Sequence, residues 1–222
     1  DQPDLWLWLG DNIYADHTSL EERWRRYCVI KDYPAYHDFR LNTPVMGTWD
    51  DHDYGSDNQD GSFVDKEITK NLFLNFLDTP DHSHLWQQSG VYHSQSFGPK
   101  GQRTQVIMLD LRFHMDRNRR ERLLLGEDQW QWLSAQVQNS DADLLIIGSS
   151  LNVSSPVTGL GLEGWAAYGM EKRRMLEVLS STSIPTVLLS GDRHFAEISQ
   201  IQLSPDRKIY ELMSSGLTHA VG

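Results

Sequence analysis

Three stretches of the chain place acids and histidines where apolar runs stop. Leu5-Trp6-Leu7-Trp8-Leu9 runs into Gly10-Asp11, with Tyr14 three residues beyond the aspartate. Pro44-Val45-Met46-Gly47-Thr48-Trp49 runs into Asp50-Asp51-His52-Asp53, and Val187-Leu188-Leu189 into Ser190-Gly191-Asp192-Arg193-His194. Taken singly, each has an ordinary explanation. Asp11 reads as a turn or cap residue, Asp50 to Asp53 as a solvated loop, and His194 as a satisfied structural histidine. Three such coincidences at strand ends are harder to explain that way, because ligand sites of open α/β sheets lie just beyond the carboxyl ends of strands. Carboxylates, a phenol and imidazoles suit divalent or ferric ions rather than soft copper. The one cysteine, Cys28, excludes a cysteine-based zinc cluster and an intrachain disulfide. Oxygen and imidazole must supply any ligands.

The elements that would position these groups alternate between strand-like and helix-like segments, which points to an α/β protein. Strands are predicted over Leu5 to Leu9, Pro44 to Trp49, Gly90 to Phe97, Thr104 to Leu109, Leu144 to Ile147, Val187 to Leu189, Glu197 to Leu203 and Ile209 to Met213. The turn Gly98-Pro99-Lys100-Gly101 predicts an antiparallel hairpin, and with it a mixed sheet. Ser19, with Glu22 three residues on, opens a helix through about Val29 that carries Cys28 as a packed thiol. Further helices are predicted from Asp65 to Leu77, Gly126 to Val137 and Trp165 to Leu179, the second with Trp130, Leu133 and Val137 at core-facing spacing. Trp6 and Trp8 share one strand face, and the other face should be covered as well. No repeat or linker divides the sequence, so residues 1–222 read as a single domain.

At 222 residues, 39% hydrophobic and 23% charged, the chain can bury a substantial core and is not disordered in composition. No apolar run reaches the length of a membrane helix, and Asp1-Gln2-Pro3-Asp4 is no secretory signal. The net charge of −11 disfavours long nucleic acid as a partner. It says little against a small phosphate ester, because bound cations can reverse the local sign.

The motifs together resemble a known family. Gly10-Asp11-Asn12-Ile13-Tyr14 is similar to the G-D-x-x-Y motif of purple acid phosphatases and PhoD-like alkaline phosphatases. Trp49-Asp50-Asp51-His52-Asp53-Tyr54-Gly55 resembles the W-D-D-H-[DE] motif of the PhoD-like group, and Ser190-Gly191-Asp192-Arg193-His194-Phe195 the G-D-x-H variant of G-H-x-H. Leu109-Asp110-Leu111-Arg112, Leu125 to Trp130 and Glu211 to Gly216 add supporting matches, and the order covers almost the whole chain. The resemblance implies a metallophosphoesterase sandwich of two mixed β-sheets flanked by helices. It also implies an upstream strand ending in an Asp or Cys ligand, so the sequence as given is expected to be a fragment lacking its first strand or strands, and to bind metal poorly.

Carried over residue by residue, the resemblance implies two metal ions bridged by Asp11. Tyr14 would be a phenolate ligand to iron and Asp51 a ligand to a second, divalent ion (calcium, zinc, manganese or magnesium), while Asp192 and His194 would stand where the related motif has its two ligand histidines. His52 would protonate the leaving oxygen or bind phosphate, Asp53 would orient its imidazole, and Arg193 would contact the phosphate. Such a pair activates water and clamps the transferring phosphoryl group. The expected activity is hydrolysis of small-molecule or polymeric phosphate esters, mono- or diester. A catalytically inactive binding or scaffold protein, or a nucleotide phosphodiesterase, are the alternatives. The family implies a periplasmic or secreted location, and nothing in the composition opposes a cytoplasmic one. Gly148-Ser149 and Asn152 occupy the place of a further family element but are not read as ligands. His82 and His84 read as a polar loop, and His219 as a residue near the site.

Overall fold

Strand alternation decides the architecture. The computed structural model describes residues 3–156 and 163–215. In chain order the elements are β1 (Trp6–Leu9), α1 (Leu20–Lys31), α2 (Pro34–Arg40), β2 (Val45–Thr48), α3 (Asp51–Tyr54), α4 (Lys66–Phe76), β3 (His93–Phe97), β4 (Thr104–Met108), α5 (Glu127–Gln138), β5 (Leu144–Ser149), α6 (Gly169–Ser180), β6 (Thr186–Ser190), β7 (Ala196–Ser204) and β8 (Arg207–Ser214). Single 3₁₀ turns lie at His84–Trp86 and Trp165–Ala167. No helix among the described residues is long and apolar enough to cross a membrane.

β1 and β2 pair in parallel as a two-stranded sheet. The other six strands form a mixed sheet in the order β3-β4-β5-β6-β8-β7, antiparallel at its two outer pairs and parallel between. Because side chains alternate along a strand, β4 sends Ile107 to one face and Val106 and Met108 to the other. Ile107, Leu145, Ile147 and Leu188 pack under Trp130, Leu133 and Val137 of α5 and Met175 and Leu179 of α6. Val106, Met108 and Ile146 meet Leu7, Leu9 and Met46 of the small sheet. Trp8, on the opposite face of β1, packs with Tyr27 of α1, Tyr36 of α2 and Phe73 and Phe76 of α4. The layers therefore run helices, small sheet, large sheet, helices. Both faces of β1 are covered, as the sequence predicts.

Ser19 caps α1 by accepting from the backbone N–H of Glu22 at 3.2 Å, worth about 1 kcal/mol for such a cap. Cys28 lies on this helix, partly buried and unpaired with any other cysteine. The expected helix from Trp165 departs from the sequence reading: it is split, a 3₁₀ turn preceding α6. The ordinary explanation of Asp50 to Asp53, a solvated loop, is not what forms. Asp50 instead caps the single turn α3, and Asp50, Asp51 and Asp53 are all buried.

Candidate metal centre

Two glycines let the ends of β1, β2 and β6 approach one another. Gly10 has φ +104°, and a Cβ there would lie 2.6 Å from Cβ of Asp50. A Cβ on Gly191 would meet the carbonyl oxygen of Leu9 at 2.9 Å, while its N–H donates to the Ser150 carbonyl at 2.9 Å. The residues that follow turn sharply. Asp11, Asp192 and His194 all have positive φ (51°, 69° and 59°), a conformation that side-chain-bearing residues adopt at a cost.

Buried polar groups lock these turns together. Asp53 accepts from the backbone N–H of Asp11 at 3.0 Å, of Asn12 at 3.3 Å and of Asp50 at 2.7 Å. It thus staples the β1 loop to α3. Arg23, 2% exposed on α1, donates to the carbonyl oxygens of Ala15, His52, Asp53 and Gly55. Asp53 does not orient the His52 imidazole, as the family resemblance implied. Asp16 does, with its Oδ2 2.7 Å from His52 Nδ1. Asp16 is itself fixed by the N–H of Asp57 at 2.6 Å. With Nδ1 engaged by a carboxylate, Nε2 is the nitrogen left to act elsewhere.

These elements gather Asp11, Asp51, His52, Asp192, Arg193 and His194, with Asp57, Asn58, Glu163 and Phe195, around a cavity of about 460 Å³. Tyr14 closes one side. Its hydroxyl donates to Asp11 Oδ2 at 3.3 Å and lies 2.6 Å from His194 Nε2, and its ring is 4.4 Å from that of His52. His194 Nε2 is 3.5 Å from Asp11 Oδ2. Ligand atoms of Asp11, Asp51 and His52 lie within 4.8 Å of one another, and so do those of Asp50, Asp51 and Asp192. All the residues singled out in the sequence as ligands are therefore brought together.

Crowded carboxylates without cations resist ionisation. Burial, then the charges of Asp50, Asp51, Asp53 and Asp192, push Asp11 up to about 10. Burial and Asp50 push Asp192 up to about 8. Burial likewise carries the Tyr14 phenol well above its usual range, with Asp11 adding to it. Asp51 is the exception: burial raises it, but Arg112, His52 and the N–H of Asn58 bring it below the ordinary value. Its Oδ1 is buried without a hydrogen bond, 3.6 Å from Arg112 Nη2. Three carboxylates, two imidazoles and a phenol in one recess, with a carboxylate oxygen left over, fit hard cations well.

Arg112, absent from the sequence reading as a site residue, sits fully buried behind this recess. It pairs with Asp50 through Nε and with Glu163 through Nη2 at 2.6 Å, and Glu163 also pairs with Arg117. Arg193 lines the cavity and donates to the Glu163 carbonyl at 3.2 Å. Asn152 is occupied in holding Glu211 and the N–H of Ser155, consistent with its not being read as a ligand. His84 belongs to a 3₁₀ turn away from the cavity, and His219 lies outside the described residues.

A family profile described as PhoD-like phosphatase matches residues 1–221. The chain belongs to the PhoD-like phosphatase family. A solved structure of PhoD is similar at a TM-score of 0.76 and 18% identity, over 98% of this chain and 52% of the other. This PhoD-like chain thus spans about half the length of that relative. A dimetal phosphatase from Danio rerio is similar at a TM-score of 0.60 and 14% identity, over 96% and 72% of the two chains. GAP50, the anchor in the inner membrane complex of Plasmodium, is similar at 0.53 and 14%, over 94% and 60%. At these identities the likeness is one of fold, and it extends to the layered α/β arrangement described above. No curated protein matches.

Proposed function

We propose that this PhoD-like chain hydrolyses phosphate esters with two metal ions held by Asp11, Tyr14, Asp51, Asp192 and His194. The observation that carries the reading is the convergence of these groups with His52 on one cavity. When bound, two cations supply Lewis acidity and neutralise charge on the transferring phosphoryl group. Asp11 is central because it faces Tyr14 and His194 on one side and Asp51 and His52 on the other. His52 protonates the leaving oxygen through Nε2, while Asp16 holds Nδ1 and so the ring's tautomer and direction. Arg193 reaches a phosphate oxygen from the cavity wall. A scaffold role is a second reading, since GAP50 is an anchor on this fold. The convergent donor set argues against it, because a scaffold has no use for buried, mutually repelling carboxylates.

Elemental analysis of the full-length protein after metal loading, beside hydrolysis of paired chromogenic mono- and diesters, tests the proposal. Stoichiometric metal with turnover of either ester is the expected result. Metal-free protein after loading, or no turnover of either, removes it. If iron occupies the Tyr14 position, a tyrosinate charge-transfer band will colour the protein and Tyr14→Phe will abolish it. A colourless protein with stoichiometric iron rules out that ligand role.

Asp16→Asn tests the positioning of His52. The amide keeps the size of the carboxylate but lets the imidazole take its other tautomer. Turnover should fall about 10–100-fold, typical for loss of a partner behind a site residue, with metal content unchanged. Equal turnover in the variant and the parent would show that the Asp16 contact is structural only.

A further inference from the structure

Arg193 lines the cavity beside Asp11, Asp51, Asp192 and Glu163, yet its guanidinium forms no ion pair among the described residues. Its one side-chain hydrogen bond there goes to an uncharged acceptor, with Nη2 donating to the backbone carbonyl of Glu163 at 3.2 Å. Its backbone is held as well, the N–H donating to the Gly191 carbonyl at 2.8 Å. An arginine and a carboxylate within reach of each other normally close into a charge-assisted pair, shorter and about twice as strong as a neutral bond. The carboxylate of Glu163 belongs to the very residue whose carbonyl Arg193 touches. It is therefore the competitor that must be kept engaged.

Two other arginines engage it. Arg112 Nη2 holds Glu163 Oε2 at 2.6 Å, and Arg117 holds Oε1. The two differ in what else they do. Arg112 is fully buried and also carries Asp50. Arg117 is only partly buried, and its one ion pair among the described residues is with Glu163. It comes from the turn after β4, which reciprocal backbone bonds between Asp116 and Leu123 close at 3.0 Å each. Glu163 has anchors of its own on the other side. The N–H of Trp165 donates to the Asn152 carbonyl at 3.1 Å, and the buried Trp165 indole donates to Ser149 Oγ at 3.0 Å. With these and Arg112 fixing where the acid sits, Arg117 bears on its charge more than on its place.

We infer that Arg117 is a positioning residue for phosphate binding: by holding Glu163 Oε1 it keeps that carboxylate from capturing Arg193, whose guanidinium stays on the Glu163 carbonyl and open to an anionic ligand. The inference rests on the proposed contact between Arg193 and phosphate, but it concerns binding and needs no turnover. It also predicts something that plain support of the fold does not. Once Arg117 is gone the acid does harm through its charge, so neutralising the acid should undo the damage.

The test uses the full-length metal-loaded protein, its Arg117→Met variant, and the double variant Arg117→Met with Glu163→Gln. Inorganic phosphate is titrated into each by calorimetry, metal content is measured alongside, and kcat and KM are followed with bis(p-nitrophenyl) phosphate. Arg117→Met should weaken phosphate about tenfold, the loss of one hydrogen bond between charged groups. KM should rise more than kcat falls, with metal content unchanged. The double variant should recover most of the lost affinity, since a neutral amide competes poorly for Arg193. A merely structural Arg117 gives the opposite: the double variant binds phosphate no better than the single one, because Arg112 has then lost an acid too. That result overturns the inference. So does equal affinity in the parent and Arg117→Met, no phosphate binding by the parent, or loss of metal in Arg117→Met. Weakening with rescue in a protein that hydrolyses no ester upholds the positioning role and removes the proposed function. Hydrolysis without that weakening does the reverse.

Discussion

Replacing His52 with alanine is expected to lower turnover about 10²–10⁴-fold while leaving metal content intact, the usual range for loss of a general acid. The expectation follows from position. His52 Nδ1 is committed to Asp16, which leaves Nε2 directed at the chemistry, and the donor set holds enough oxygen and imidazole without it. The loss should depend on the leaving group. A nitrophenolate leaves readily without a proton and should suffer little, whereas an alkyl ester should suffer most. Asp51→Ala separates the two roles, because it should lower metal content and turnover together. If His52→Ala strips metal, or slows both esters alike, its imidazole is a ligand or a positioning group; its atoms do lie within ligand reach of Asp11 and Asp51.

The second large effect is expected at Arg112, and it concerns folding. This guanidinium has no exposed side-chain surface and faces Asp50, Asp51 and Glu163. Arg112→Met keeps much of the volume but leaves the buried carboxylate of Asp50 without a counter-ion and Glu163 with Arg117 alone. Removing one partner from such a network costs about 3–5 kcal/mol, because the remaining charge stays buried and unpaired. Denaturant unfolding of the metal-free protein should read that loss directly. Arg112→Lys should not restore it fully, since an ammonium cannot present the fork that spans Asp50 and Glu163. Adding Asp50→Asn to Arg112→Met should recover part of the stability. A loss under about 1 kcal/mol for Arg112→Met would mean that the acids protonate at little expense instead.

How much of this was legible in the sequence depended on the range of the interaction. Strands and helices came from local periodicity, and the ligand candidates from their position directly after apolar strands. Asp11, Asp51, Asp192 and His194 were found that way, and the fold then placed them together. The groups that hold them were not found, because their partners are remote: Asp16 meets His52 across 36 positions, and Arg112 meets Asp50 across 62. Proximity in the sequence misled for Asp53. It sits beside His52, yet on a helical turn adjacent side chains diverge, and its oxygens go to the N–H groups of Asp11 and Asn12 instead. For Arg112 a signal was present. Arg112 comes four positions past the end of β4, in Leu109-Asp110-Leu111-Arg112, and an arginine drawn into such apolar surroundings is almost never fully buried unless it is paired with acids.

The left-handed backbone at Asp11, Asp192 and His194 sets function against robustness. Each position holds its side chain in a conformation that glycine would adopt freely, at about 1–2 kcal/mol for an L-residue. Glycine there would also delete a carboxylate from a crowd of others at two of the three sites. A screen of metal-free variants ranked by melting temperature would therefore promote Asp192→Gly, and improve the fold by dismantling the centre. Mutational drift under selection for folding alone would take the same road. On the proposed function, an ion bound in the recess would offset the strain and the repulsion and make these aspartates the better choice over glycine.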